Sequence, residues 1–226
     1  MTPPPTLLDD DRTASLATPL MMSHHGFRRD LQRFAVALEA VAHGEHSRVA
    51  ALREEWSRFG ATLHGHHHSE DTGVFPSLLQ QRPAVAWVLA HLQADHRQLD
   101  PLVERGAAAF ARLPDAGEAL ALVRELQALL EPHLATEERE LIPHLRAGKS
   151  FPPLPDDALE LYAQGFAWAM HGIAPDVVAQ VEAMLPEGLR ARLPEARAAY
   201  RARCVEVWGT DAAGAARTPI PAPFTR

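Results

Sequence analysis

The sequence predicts an all-α protein: an up-down-up-down four-helix bundle followed by a C-terminal helical extension. Three observations carry this. Between Leu20 and Leu145 the chain is rich in Ala, Leu, Arg, Glu and Gln, with few runs of β-branched residues. Apolar residues recur there at three- and four-residue spacing, the period of a helix with one buried face. The connections between these stretches are short, which makes consecutive helices antiparallel neighbours.

The first helix is expected over residues 19–42, where Leu20, Phe27, Leu31, Phe34, Leu38 and Val41 fall near helical spacing before His43-Gly44 stops it. The second is expected over 47–79 through Leu52, Trp56, Phe59 and Leu63. It should bend at Gly73 and Pro76, because proline lacks the N–H that a helix needs. The third begins near Pro83 and carries Val85, Val88, Leu89, Leu92, Leu99 and Val103, with a kink expected at Pro101. Leu113-Pro114-Asp115 breaks the chain and offers an N-cap. The fourth is expected over 116–145 through Leu120, Val123, Leu126, Leu130 and Leu134, interrupted at Pro132 and Pro143. Residues 19–147 thus read as the bundle. After Pro152, Pro153 and Pro155, helices are expected over 157–171, 175–185 and 195–208, so that 148–208 forms an extension packed on the bundle. Residues 1–18 and 209–226 read as flexible terminal arms.

Charge and cysteine usage narrow the function. Lys and Arg number 22 against 29 Asp and Glu, so the net charge is 22 − 29 = −7. A negative chain without a basic run is a poor partner for nucleic acid or an anionic membrane, and neither is expected. The single cysteine, Cys204, excludes an internal disulfide framework and a Cys-rich zinc site. No apolar run approaches the roughly 18 residues of a membrane span. Residues 1–11 hold three prolines and three aspartates rather than a basic and then apolar leader, so the expected compartment is the cytoplasm.

The informative residue is histidine. There are 13, and His64, His66, His67 and His68 fall within five positions. With one cysteine in the chain, that points to nitrogen and oxygen metal chemistry rather than thiolate chemistry. The histidines also fall into a repeat. His66-His67-His68-Ser69-Glu70-Asp71, followed by Phe75-Pro76, matches His133-Leu134-Ala135-Thr136-Glu137-Glu138, followed by Ile142-Pro143. Each is His-x-x-x-Glu with an acidic neighbour and a proline six residues after the Glu. The i, i+4 spacing puts His and Glu on one face, one turn apart. The leading helices match too: Ser23-His24, with Phe27 and Leu31 at +3 and +7, corresponds to Asp95-His96, with Leu99 and Val103. Each half then supplies one His from a leading helix and a His and a Glu from the next. His24, His66, Glu70, His96, His133 and Glu137 are the candidate metal ligands. Four imidazoles and two carboxylates suit two ions, with each carboxylate bridging the pair and coordination positions left open for water, O2, NO or peroxide.

The ordered pattern His24 … His66-x-x-x-Glu70 … His96 … His133-x-x-x-Glu137 resembles the hemerythrin-like family, in particular its HHE cation-binding branch, over about residues 20–147. The resemblance implies a four-helix bundle around a non-haem di-iron site, used for O2 binding, for O2, NO, redox or iron sensing, or for peroxide chemistry. O2-carrying members have a second His one turn from the third-helix ligand and an Asp five residues after the fourth-helix ligand. Here His91 precedes His96 by five residues and position 138 is Glu138, which counts against reversible O2 carriage.

The remaining groups are read more plainly. His64, His67 and His68 are expected to be exposed or to lie behind the ligands, since only one face of their helix points inward. Asp71 and Glu138 are read as lying behind the ligands or at the surface, where they are able to hydrogen-bond ligand imidazoles, and His25 as a second-layer residue, with ligation by His25 or His91 left open. His91 is read as structural. His171 is read as packing at a helix end, with a lid over the metal site as the alternative, and Cys204 as inert. Mixed imidazole and carboxylate ligands suit iron, manganese or zinc better than calcium, magnesium or copper(I). The resemblance selects two iron ions, with zinc or manganese as substitutes. The function expected is therefore a di-iron protein that engages O2, NO or peroxide as sensor, scavenger or store. The alternatives are a di-iron oxidase or oxygenase acting on a small organic substrate under the C-terminal helices, and an interaction module with a vestigial site.

Overall fold

The computed structural model describes residues 7–211. No strand occurs among the described residues, in agreement with the all-α expectation. The elements are α1 (Ala17–Ala42), α2 (Val49–Ser69), a π-helical turn (Glu70–Val74), α3 (Phe75–Gln81), α4 (Ala86–Ala111), α5 (Gly117–Glu140), α6 (Ile142–Leu145), α7 (Leu159–Ala169), α8 (Pro175–Met184), α9 (Glu187–Arg190) and α10 (Leu193–Trp208). The chain divides into two compact units, one of residues 30–140 and the other of residues up to 29 together with those from 141 on. The division falls within α1, which is one continuous helix.

In the unit of residues 30–140, the second half of α1 joins α2, α4 and α5 in a bundle whose core is aromatic toward one end. Phe34 meets Trp56, Phe59 and Phe110 edge-on, with ring centres 5.3, 5.8 and 5.4 Å away. Trp56 also stacks on Phe110 at 4.5 Å. Such edge-to-face and offset pairs each add roughly 0.5–1.5 kcal/mol to the burial of the rings. The close packing requires a glycine: a Cβ at Gly106 would stand 2.2 Å from Trp56 Cζ2. Arg53 donates to Phe110 O, near the end of α4, and to Leu113 O, in the turn that follows it, tying α2 to the end of α4.

The prolines act in different ways. Pro101 and Pro132 lie inside α4 and α5 without ending them. Near Gly73 and Pro76 the chain takes a π turn instead of breaking. Phe75 N–H donates to Glu70 O, five residues back, and the helical path continues from α2 into α3. The wider turn makes room for a ring that would clash with an α-helical carbonyl. At Pro143 the fourth expected helix does break: α5 ends at Glu140 and α6 begins at Ile142.

The other unit is organised around a buried arginine. Arg29, 1% exposed, donates to Trp168 O (3.0 Å), His171 O (2.8 Å) and Tyr200 Oη (2.9 Å), tying the end of α7 to α10. Gly26 lets Trp168 approach, since a Cβ there would meet the indole at 2.5 Å. Leu7 and Leu8 are buried, and Asp9 pairs with Arg146 and, at 2.6 Å, with Lys149. Gly209, at φ 76°, ends α10 in the left-handed conformation that glycine adopts without penalty. Of the two terminal arms expected from the sequence, residues 1–6 and 212–226 lie outside the described residues. No described helix is long and apolar enough to cross a membrane.

Candidate metal centre

Within residues 30–140, helices α2, α4 and α5 and the π turn bring five of the six sequence-predicted ligands together: His66, Glu70, His96, His133 and Glu137. The sixth, His24, stands on the first half of α1 in the other unit, fully buried, beside His25, which is also buried. Phasing explains the convergence. On α2 and its continuation, Trp56, Gly60, Leu63, His67 and Glu70 follow a four-three-four-three spacing and all are buried. On α5, Leu126, Leu130, His133 and Glu137 do the same. The polar residues thus extend the apolar stripes of their helices and face the same interior.

One ligand group is His67, His96 and His133, each offering a ring nitrogen within 4.8 Å of the others. A second is His66, Glu70 and Glu137, under the same limit. The two groups meet through their carboxylates. Glu70 Oε1 is 3.3 Å from His66 Nε2 and its Oε2 is 3.7 Å from His96 Nε2, while Glu137 Oε1 is 3.3 Å from His133 Nε2.

His67 corrects the sequence reading, which placed it off the inward face. It is 2% exposed and stacks on His96. The signal was present: four residues beyond Leu63, the buried stripe of α2 arrives at His67 rather than His66. His66, three residues beyond Leu63, lies at the edge of the same face, its side chain 8% exposed. His64, His68 and His91 are exposed. His171 lies in the turn after α7 with its ring against Tyr200, and Cys204, buried, has its Sγ 3.8 Å from His171 Nε2.

Each ring of the three-histidine group has a carboxylate at its Nδ1: Asp100 at 3.3 Å from His67, Asp71 at 3.1 Å from His96 and Asp95 at 3.4 Å from His133. An Nδ1–H facing a carboxylate fixes the tautomer and leaves the Nε2 lone pair directed inward, the arrangement that metal-bound imidazoles need. Asp71 takes the supporting role that its place beside Glu70 suggested. Those inward Nε2 atoms of His67, His96 and His133 are buried and make no hydrogen bond, and neither do the two oxygens of Glu70.

The electrostatics point the same way. Burial, followed by the neighbouring charges of His96, His66 and His133, pushes His67 down to about 3 against the opposing pull of Asp100. Burial likewise lowers His96. Burial and then the nearby carboxylates of Glu137 and Asp71 hold Glu70 well above its ordinary range. Neutral rings at His67 and His96 beside a Glu70 carboxyl that resists ionisation leave buried polar atoms that are costly without a partner. A cation reverses that cost by accepting the lone pairs and compensating the negative charge. Nitrogen and oxygen donors without thiolate suit a borderline transition-metal ion.

Neither the curated proteins nor the solved structures return a match. The profile of the hemerythrin HHE cation-binding domain matches residues 16–145, more than half of the chain, and includes every residue of the centre. The chain belongs to the hemerythrin HHE cation-binding domain family.

Proposed function

We propose that this protein holds two iron ions in the His/Glu centre and engages O2, NO or peroxide there as a sensor, scavenger or store. One observation carries the reading: two groups of ligand atoms share a carboxylate, with Glu70 presenting one oxygen toward His66 and the other toward His96. His24 is included as a ligand on the strength of the sequence repeat, and His67 on its position. Iron is preferred because imidazole–carboxylate sets suit it and because an incomplete protein ligand set leaves positions for a diatomic ligand. When bound, the metal supplies Lewis acidity and redox capacity. The chain's own residues orient the imidazoles through Asp71, Asp95 and Asp100 at Nδ1, while burial keeps His67 and His96 neutral against the pull of Asp100 and Asp71. Nucleic acid and membranes are not among the proposed partners, in keeping with the net charge of −7.

Metal analysis of protein from iron-replete expression, with visible spectra taken anaerobically and then after O2, NO or peroxide, tests this. Close to two ions per chain and a spectral response to at least one of these ligands are expected. Less than about half an ion per chain after anaerobic reconstitution overturns the reading.

A second reading, an oxidase or oxygenase for a small organic substrate, has one observation in its favour. Met170, His171, Ile173, Val178 and Tyr200 help to line a cavity of about 400 Å³ in the unit that contains α7, α8 and α10. That volume falls in the range of small-molecule sites. An organic product formed with O2 consumption distinguishes it from the first reading.

A further inference from the structure

Two histidines of the 64–68 cluster take no part in the centre. His64 and His68 stand one turn apart on the outer face of α2, and both are exposed. Their rings lie nearly parallel, 22° apart, with centres separated by 6.4 Å. Across the seam between α2 and α4, Asp100 Oδ2 is 3.7 Å from His64 Nδ1, while its other oxygen, Oδ1, is 3.3 Å from the buried His67 Nδ1. Asp100 thus places a carboxylate beside the Nδ1 edge of the outer ring of His64 while it contacts the inner one, which favours presentation of His64 Nε2 to solvent.

We propose that His64, with Asp100 beside its Nδ1 edge, and His68 form an exterior site for a divalent transition-metal ion, separate from the buried centre. Two imidazoles that share an ion at metal–nitrogen distances of about 2.0–2.1 Å have ring centres about 5 Å apart. The two rings need to close by little more than 1 Å from their present separation, which side-chain rotation of exposed histidines provides. The i, i+4 spacing presents both rings to one point. Imidazole donors select zinc, nickel or copper(II) over calcium or magnesium. Solvent exposure makes the ion readily exchangeable.

Zinc(II) titration of the full-length protein as isolated, followed by calorimetry with parallel iron analysis, tests the proposal. The wild-type chain should bind one more exchangeable zinc than the double variant His64→Gln/His68→Gln, whatever the interior holds. Each single variant should weaken that binding about 10-fold or more, with interior metal content unchanged. Gln at these positions keeps the exposed face polar, and far-ultraviolet circular dichroism confirms that the variants fold. Equal zinc binding by wild type and double variant overturns the proposal. So does zinc uptake that occurs only as interior iron is released.

Discussion

The imidazole of His67 lies face to face with that of His96, their centres 4.1 Å apart and their planes 13° from parallel. Two buried rings this close cannot both carry a proton at moderate cost, so proximity adds to burial in keeping them neutral and available as donors. The carboxylates behind them, Asp100 and Asp71, come from α4 and from the π turn respectively.

His67→Ala should therefore remove metal from the three-histidine group and lower affinity about 10-fold or more, as losses around a metal commonly do. His91→Ala, on an exposed residue, is the control and should leave the centre's metal content unchanged. Full metal occupancy in His67→Ala would show that the ring is packing alone.

Glu70 and Glu137 stand between the two groups, whereas each histidine belongs to one. Glu70→Ala and Glu137→Ala should lower occupancy of both metal positions and weaken the visible spectrum. His96→Ala should weaken one position and leave the other holding an ion. If Glu70→Ala retained both ions at wild-type affinity, the shared-carboxylate arrangement would be wrong.

Metal-free protein should show opposing pH effects from the same groups. An unfolded chain protonates His67 near pH 6.5, while the folded chain keeps it neutral down to about 3. The folded state binds fewer protons in that window, so it loses stability as pH falls through it. Glu70 acts in the other sense. Its folded carboxyl keeps a proton above 4.5, where the unfolded one has ionised, so stability is lost as pH rises beyond 4.5. Glu70→Gln has no charge to bury. At pH 7 without metal it should melt at a higher temperature than the wild type, and added iron should raise its Tm less than it raises that of the wild type. Calorimetric melts with and without chelator check both points, and a lower Tm for the metal-free variant would count against them.

Arg29 joins α1 to the carbonyls of Trp168 and His171 and to Tyr200. Arg29→Met should keep much of the side-chain volume but leave these acceptors unpaired, destabilising the protein by at least about 2 kcal/mol. Urea denaturation followed by tryptophan fluorescence measures the change, and wild-type stability in the variant would refute the role.

Gly106→Ala should cost about 1–3 kcal/mol, because the new methyl group meets the Trp56 ring and disturbs its stack on Phe110. Gly65→Ala is the comparison, since a Cβ there meets nothing within 4 Å. Equal stability of the two variants would mean that the Trp56 ring relocates freely.

The sequence by itself determined the all-α class and the duplicated His-x-x-x-Glu pattern, because helical period and i, i+4 spacing are local properties of the chain. It also determined that something unusual happens after Glu70, since proline inside a helix must be accommodated. What form this takes was decided in three dimensions: a π turn at Glu70–Val74 in one copy and a broken helix before Pro143 in the other. The inward place of His67 follows from continuing the buried stripe of Trp56, Gly60 and Leu63 by four residues, whereas the His-x-x-x-Glu repeat aligns His66, not His67, with His133. The inserted π turn means that equal spacing in sequence does not give equal positions in space. Of the carboxylates behind the imidazoles, Asp71 alone was marked in the sequence, and which ring it meets was not legible. Asp100 meets His67 across 33 residues, Asp95 meets His133 across 38 and Asp71 meets His96 across 25. Such pairings depend on the rotation and register of one helix against another, which core packing sets and which no local pattern records.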